Sequence, residues 1–160
     1  MNYNQTSQNN LKPSFKIARL VHLALLAGQV LFAGVTLFIN KNIKVDTSRD
    51  NQFLIIALIL AIMGFFVGNL IYKQVVNVAA KKETFVEKMM AYQSALIIRY
   101  ALLEGASLFC IVCYFLTSNF IFLLISGAII VYFIILRPKV DTIAEELNLT
   151  YEEKAELENS

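Results

Sequence analysis

The longest stretch of the sequence without a charged residue runs from Gly105 to Leu136 and contains 32 residues. A helix needs roughly 20 apolar residues to cross the hydrocarbon core of a bilayer, so this stretch is too long for a single span. The only consecutive polar residues inside it are Thr117, Ser118 and Asn119, where we expect a turn. The stretch therefore predicts the end of one membrane-spanning helix and the whole of the next.

Two further stretches, Leu20–Ile39 and Phe53–Tyr72, have 20 residues each without a charge. With the turn placed as above, the remaining spans are Ser94–Leu116 and Asn119–Leu136. Backbone groups in lipid are satisfied only within helices or closed barrels, and these segments lack the alternating pattern of barrel strands. The sequence therefore predicts an all-α membrane protein, with a bundle of four transmembrane helices in residues 15–138.

The composition agrees with this class, because 58% hydrophobic residues, 16% charged residues and a mean hydropathy of +0.61 do not fit a soluble globule. A net charge of +2 excludes a strongly basic nucleic-acid binder and an acidic disordered chain. Two cysteines and one histidine exclude a disulfide scaffold and a zinc site that needs four side chains. We expect the lipid bilayer as a partner, and no metal, cofactor or nucleic acid.

The orientation follows from the positive charges that flank the spans. Ten Lys and Arg residues lie in the N-terminal flank, the segment between spans two and three, and the C-terminal tail, whereas three lie in the first loop. Positive charge stays on the cytoplasmic side, so we expect both termini in the cytoplasm. The first stretch has no small-residue cleavage site behind it and is expected to be a retained span.

The segments outside the spans differ in character. Residues 1–14 begin with an Asn- and Gln-rich stretch without an apolar period and are expected to be disordered. Residues 73–93 are too apolar for a free linker, and Thr84 to Glu87 fits a capping box, so we expect spans two and three to continue as helices into the cytoplasm.

The C-terminal tail, residues 139–160, is acidic and is expected to be helical. Thr142 and Thr150 each begin a capping-box pattern, which predicts two short helices. The tail contains two lysines and seven acidic residues, so its net charge is −5, and the net charge of the rest of the chain is +7. The simplest expectation is a solvated terminus; the alternatives are docking on a basic cytoplasmic partner or on the chain's own Lys-rich segment.

Two stripes of side chains predict how the spans pack. Because a helix turns by about 100° per residue, His22, Gln29 and Thr36 share one face of span one, which we expect to face protein. A narrow ridge of small residues on span two is expected to be a contact between helices. It consists of Ala57, Ala61, Gly64 and Gly68.

Glu104 lies near the midplane of span three, where a charged carboxylate costs about 2.5 to 3.5 kcal/mol on insertion scales. We expect it to face inward and to hydrogen-bond with Gln29. Arg99 points about 140° away from Glu104 around the helix, and is expected to reach the headgroups or His22. With Tyr100, these residues form a candidate polar site within the membrane.

Cys110 and Cys113 form a Cys-x-x-Cys pattern in the outer half of span three. Thiolates are disfavoured in apolar surroundings and cysteine packs well as a small hydrophobic residue, so we interpret the pair as packing residues. A redox function of the pair is the alternative.

The stretch Ala101–Leu116, with the sequence ALLEGASLFCIVCYFL, is similar to the carboxylate-bearing helix of rotary ATPase proteolipid subunits. This resemblance implies a proton-carrying role for Glu104. The chain departs from that family in having six glycines in all, and Lys-Lys-Glu-Thr in the polar loop where the family usually has Arg-Gln-Pro. As a whole it resembles small four-span proteins of bacterial inner membranes, which implies that location.

Three functions are compatible with these features. The first is a non-enzymatic structural or accessory component of a membrane complex, with a cytoplasmic protein partner bound through residues 139–160. The second is a proton- or small-cation-translocating subunit that uses Glu104 and acts as a homo-oligomer. The third is a membrane-embedded redox enzyme using Cys110 and Cys113. Since the sequence has no recognisable catalytic constellation, we expect the protein not to be an enzyme.

Overall fold

The computed structural model describes residues 15–40, 43–45 and 51–158. Within these ranges the chain forms six helices joined by short connections, which confirms the all-α class. The helices are α1 Phe15–Ile39, α2 Asn51–Ala79, α3 Phe85–Thr117, α4 Phe120–Ile135, α5 Val140–Glu146 and α6 Tyr151–Glu158. Residues 1–14, for which disorder is expected, lie outside the described ranges.

Helices α1, α2 and α3 are each long and apolar enough to cross a membrane. Helix α4 has 16 residues, about 24 Å, and passes the same test only together with α5, from which it is separated by a 77° bend. The chain therefore has three to four candidate spans and is a helical membrane protein. Helices α2 and α3 continue beyond their apolar segments, as expected from residues 73–93.

The hairpin between α2 and α3 is closed by the predicted capping box. Thr84 is the N-cap of α3, and its hydroxyl oxygen accepts a hydrogen bond from the Glu87 amide at 3.3 Å. The same hydroxyl donates to the Glu87 carboxylate at 3.0 Å. These contacts satisfy a free amide at the helix start, so α3 begins where the sequence predicts.

The turn between α3 and α4 lies at Thr117–Asn119, as predicted. Ser118 has a φ of 59°, the left-handed conformation that ends many helices, and Asn119 caps α4 by accepting from the Ile121 amide at 3.2 Å. The first loop pairs with this turn, because the Lys44 amide donates to the Ser118 carbonyl and the Phe120 amide donates to the Lys44 carbonyl, both at 2.9 Å.

Helix α3 is the centre of the bundle and contacts α1, α2 and α4. Helices α1 and α3 run in the same direction. Ala18, near the start of α1, lines one cleft together with Tyr100 of α3. Just past the end of α1, the side-chain amide of Asn40 donates a hydrogen bond to the Tyr114 carbonyl, farther along α3, at 3.2 Å. The turn reverses the chain, so α4 runs antiparallel to α3 and ends at the level of Tyr100, where the Tyr100 hydroxyl donates to the Leu136 carbonyl.

The small-residue ridge on α2 packs against α3. Ala57 and Ala61 lie against the hydrophobic core. At Gly64 an added Cβ would lie 3.1 Å from the Leu102 carbonyl oxygen, and at Gly68 it would lie 3.7 Å from the Arg99 side chain. The backbones of α2 and α3 therefore approach closely, and a side chain at Gly64 would be tightly packed against the Leu102 carbonyl.

Replacing Gly64 with alanine is expected to lower the free energy of unfolding by roughly 1 to 3 kcal/mol, because the new methyl group meets a backbone carbonyl that cannot move without shifting α3. The matched control is Gly105→Ala, since a Cβ at Gly105 has no neighbour within 4 Å. Unfolding by denaturing detergent in micelles measures both variants. Equal stabilities for the two would contradict the close approach.

Candidate functional site

The inner face of α1 is polar and buried, as predicted. His22, Gln29 and Thr36 are 2%, 0% and 1% exposed. The Thr36 hydroxyl donates to the Ala33 carbonyl of its own helix at 2.9 Å, whereas His22 Nδ1 and both amide atoms of Gln29 have no hydrogen-bond partner among the described residues. Buried polar atoms without partners are rare, so this face is the first candidate site.

His22 lies between aromatic rings from two other helices. Its imidazole stacks on Phe133 with ring centroids 4.8 Å apart and lies 5.1 Å from the Tyr100 ring. The Tyr100 hydroxyl donates to the Leu136 carbonyl at 3.0 Å, at the end of α4. Of the predicted site residues, the structure therefore brings His22 and Tyr100 together.

The predicted hydrogen bond between Glu104 and Gln29 is wrong, because neither amide atom of Gln29 has a partner. Gln29 lies about 10 Å along α1 beyond His22, whereas Glu104 lies only about 6 Å along α3 beyond Tyr100, the neighbour of His22. Along the helix axes, the Glu104 carboxyl group therefore lies nearer the level of His22 and Tyr100 than the Gln29 amide does. Glu104 itself is half-buried.

A serine pair forms the polar contact between α3 and α4. The Oγ atoms of Ser107 and Ser126 are 2.9 Å apart and both residues are buried. This pair was not predicted from the sequence. The spacing along α3 could have indicated that Ser107 faces inward. Ser107 follows Tyr100 by seven residues, the same spacing as between His22 and Gln29, so Tyr100 and Ser107 share one face of the helix.

Arg99 faces away from His22, so the predicted contact between them is wrong. Its guanidinium carbon lies 4.6 Å from the centre of the Tyr72 ring, and its Nη2 donates to the Tyr132 hydroxyl at 3.2 Å. Successive residues on a helix point about 100° apart. Because Tyr100 points toward His22 of α1, the adjacent Arg99 points toward α2 and α4. Arg99 and Tyr100 therefore contact different residues, although they are neighbours in sequence.

Cys110 and Cys113 form no disulfide and are 0% and 2% exposed. They belong to an apolar cluster with Ala57, Tyr114 and Phe122, between α2, α3 and α4. This burial agrees with their interpretation as packing residues.

The C-terminal tail folds back onto the hairpin of α2 and α3. Ile143, Leu147 and Leu157 are each fully buried and belong to the same core cluster as Ala79 and Met89. The expectation of a solvated terminus is therefore wrong. Three apolar side chains among many acidic ones are sufficient to dock both short helices, because each buried aliphatic side chain contributes about 1.5 to 3 kcal/mol.

Polar contacts fix the position of the docked tail. Glu153 accepts hydrogen bonds from Lys88 Nζ at 3.0 and 3.1 Å, and both side chains are largely buried. The Tyr72 hydroxyl donates to Glu146 at 2.5 Å and lies 3.1 Å from the Tyr92 hydroxyl. The tail thus docks on its own chain, and Lys88 is the residue of the Lys-rich segment that pairs with it.

One of the two predicted caps in the tail is confirmed. The Thr150 amide donates to the Glu153 carboxylate at 2.8 Å, and the Glu153 amide donates to the Thr150 hydroxyl at 3.3 Å. The cap at Thr142 is wrong, because α5 begins at Val140 and includes Thr142. Lys139 is the N-cap instead, with no side-chain cap hydrogen bond, and Ile143 of this helix is buried in the core.

No protein-family model, no curated protein and no solved structure matches this chain. The proton-carrying role that the sequence of α3 implies for Glu104 therefore stays a prediction. The same holds for the location that the overall resemblance implies.

The docking of the tail is expected to weaken in acid. Burial raises the pKa of Glu153, but hydrogen bonds from the Thr150 amide and the Lys88 ammonium outweigh it, and the net pKa lies below the ordinary value of 4.5. Stability from this group is therefore complete above pH 4.5 and is lost as pH falls through the lowered pKa. Amide hydrogen exchange in residues 140–158 measures this loss.

The variant Glu153→Gln is expected to weaken docking by about 1 to 2 kcal/mol at neutral pH and to reduce its acid dependence. Glu158→Gln is the matched control, since it removes one charge from an exposed position of the same helix. Similar exchange in both variants would contradict a role for the Lys88–Glu153 contact.

Proposed function

We propose that the protein is a non-enzymatic accessory component of a bacterial inner-membrane complex, and that its cytoplasmic cap binds a basic protein partner. The cap consists of residues 73–93 and 139–158. It belongs to the Lys- and Arg-rich side of the chain, which supports a cytoplasmic location for the cap and for both termini.

The course of α4 supports four membrane crossings. Helix α4 starts at the turn beyond the end of α3, and the residue after it, Leu136, accepts a hydrogen bond from Tyr100 in the first half of α3. The following tail then reaches Lys88 near the start of α3. Since α4 and the tail together run from the turn back to the first part of α3, the chain would cross the membrane a fourth time whenever α3 crosses it.

The acidic outer face of α6 carries the proposal. The inner side of α6 is occupied by Leu157 in the core and by Glu153 on Lys88. On the outer side Tyr151 is 90% exposed, and Glu152 and Glu156 are exposed one helical turn apart. An exposed aromatic ring beside unpaired carboxylates is a surface that fits a partner with a basic patch.

A photo-crosslinking amino acid in place of Tyr151 tests this face in intact membranes. We expect one specific adduct, because the ring position is exposed and directly precedes Glu152 on α6. The double variant Glu152→Gln/Glu156→Gln should reduce its yield about tenfold, since two charge contacts are lost. Quantitative mass spectrometry of the adduct gives the yield and the partner.

The control is Glu83→Gln/Glu87→Gln, which removes two exposed charges from the opposite part of the cap. Glutamine still serves in the Thr84 capping box, so α3 should keep its start. Absence of any adduct, or an equal loss in both double variants, would overturn the proposal. Point variants are preferable to deletion of the tail, because deletion would expose the core at Met89.

A second candidate function, proton translocation, is favoured by the unpartnered polar atoms on α1. His22 Nδ1 and the Gln29 amide lie about 10 Å apart on one buried face, and α1 packs against the helix that carries Glu104. Buried polar atoms of this kind commonly hold ordered water, which would bridge the distances between them. A proton path along this face would then use Glu104 as its carboxyl group.

Carbodiimide labelling and proton flux in liposomes test this candidate. Glu104→Gln should abolish both labelling and flux, whereas Glu83→Gln, which removes a carboxyl group outside the apolar segments, should abolish neither. Absence of labelling and flux in the unmodified chain would reject proton translocation and leave the accessory role unaffected.

A further inference from the structure

A polar cleft opens where the first part of α3 meets the ends of α2 and α4 and the start of the tail. Its volume is about 170 Å³, far above the 10 to 15 Å³ or so that one water molecule requires. Three cationic side chains, Arg99, Arg137 and Lys139, line it together with one carboxylate, Glu146. The formal charge of the lining is therefore positive.

None of the three cations forms an ion pair with a carboxylate in the part of the chain that the structure describes. Among the described residues the ion pairs are Lys88–Glu153 and Lys154–Asp141, neither of which lies in the cleft. Arg99 donates through Nη2 to the neutral Tyr132 hydroxyl, and its buried Nε has no partner among the residues described. An arginine with a buried, unsatisfied donor is a costly arrangement unless an anion completes it.

The one carboxylate in the cleft is already engaged. Glu146 accepts the hydrogen bond from Tyr72, whose ring also lies under the Arg99 guanidinium. Glu146 therefore holds the tyrosine in place without forming an ion pair with Arg99. Arg137 and Lys139 are exposed, so the cleft is open to a ligand from outside.

The cleft lies at the edge of the apolar surface. On α4, Ile134 and Ile135 are 50% and 70% exposed, and the next charged residue is Arg137. On α2, Leu70 is 57% exposed and is followed by the exposed Lys73. Apolar side chains exposed up to this level and cations beyond it are typical of the boundary between hydrocarbon and headgroups, where lipid phosphates lie.

We propose that the cleft of Arg99, Arg137 and Lys139 binds a phosphate group. The planar guanidinium of Arg99 supplies the fixed donor at the base, and the two exposed cations close over the outer oxygens. The phosphate belongs either to an anionic lipid headgroup, which reaches the cleft from the bilayer, or to a soluble phosphate compound.

Binding to the purified full-length chain tests the site. Native mass spectrometry from micelles with phosphatidylglycerol, and with phosphatidylcholine of the same acyl chains, measures the lipid; titration with inorganic phosphate measures the soluble form. Arg137→Gln/Lys139→Gln should weaken binding roughly tenfold or more. These exposed residues are chosen because replacing Arg99 would also disturb its packing on Tyr72.

The matched control is Lys81→Gln/Lys82→Gln, which removes two positive charges from exposed positions at the tip of the hairpin. Loss of binding in the cleft variant and its retention in the control supports the site, provided both keep the thermal stability of the unmodified chain. Equal weakening in both variants would show attraction to the basic surface as a whole and would overturn the proposal.

The two sources of phosphate give different results. If the site binds a lipid headgroup, the protein binds phosphatidylglycerol in preference to phosphatidylcholine, and inorganic phosphate does not change this binding. A site for a soluble compound binds inorganic phosphate, and this binding displaces phosphatidylglycerol. If neither probe binds the unmodified chain, the proposal is wrong.

Discussion

The backbone of an apolar chain in lipid can find hydrogen bonds only within its own segment, and this constraint underlies the whole molecule. It makes each long apolar stretch a helix and leaves side chains to decide how the helices meet. Helix α3 occupies the centre, where glycine at position 64 of α2 allows close backbone approach and a serine pair joins it to α4. Packing of small and weakly polar groups, more than burial from water, holds such a bundle together.

Two adjacent residues of α3, Arg99 and Tyr100, contact two different groups of polar residues in the bundle. Tyr100 turns toward α1 and meets His22, while Arg99 turns toward α2 and α4 and meets Tyr72. The first direction leads to buried polar atoms that have no hydrogen-bond partner among the described residues. The second leads to the cationic cleft below the cap. The two sites begin on faces of α3 that point about 100° apart.

The docked tail covers the hairpin of α2 and α3. Its apolar residues complete the core, Glu146 and Glu153 fix its position, and the remaining acidic side chains face outward. The charge asymmetry of the sequence thus has two structural uses. A few charges position the tail against its own hairpin, and the others form the surface that we assign to a partner.

The sequence alone determined the helices, the turn at Ser118, the caps at Thr84 and Thr150 and the buried stripe of α1, because each follows from local spacing or from hydrophobic length. Only the tertiary structure decided that Gln29 lacks a partner, that Ser107 pairs with Ser126 and that the tail docks. Helical periodicity fixes the direction of a side chain around its own axis. It does not fix the register or the identity of the neighbouring helix, and these depend on packing of the whole bundle.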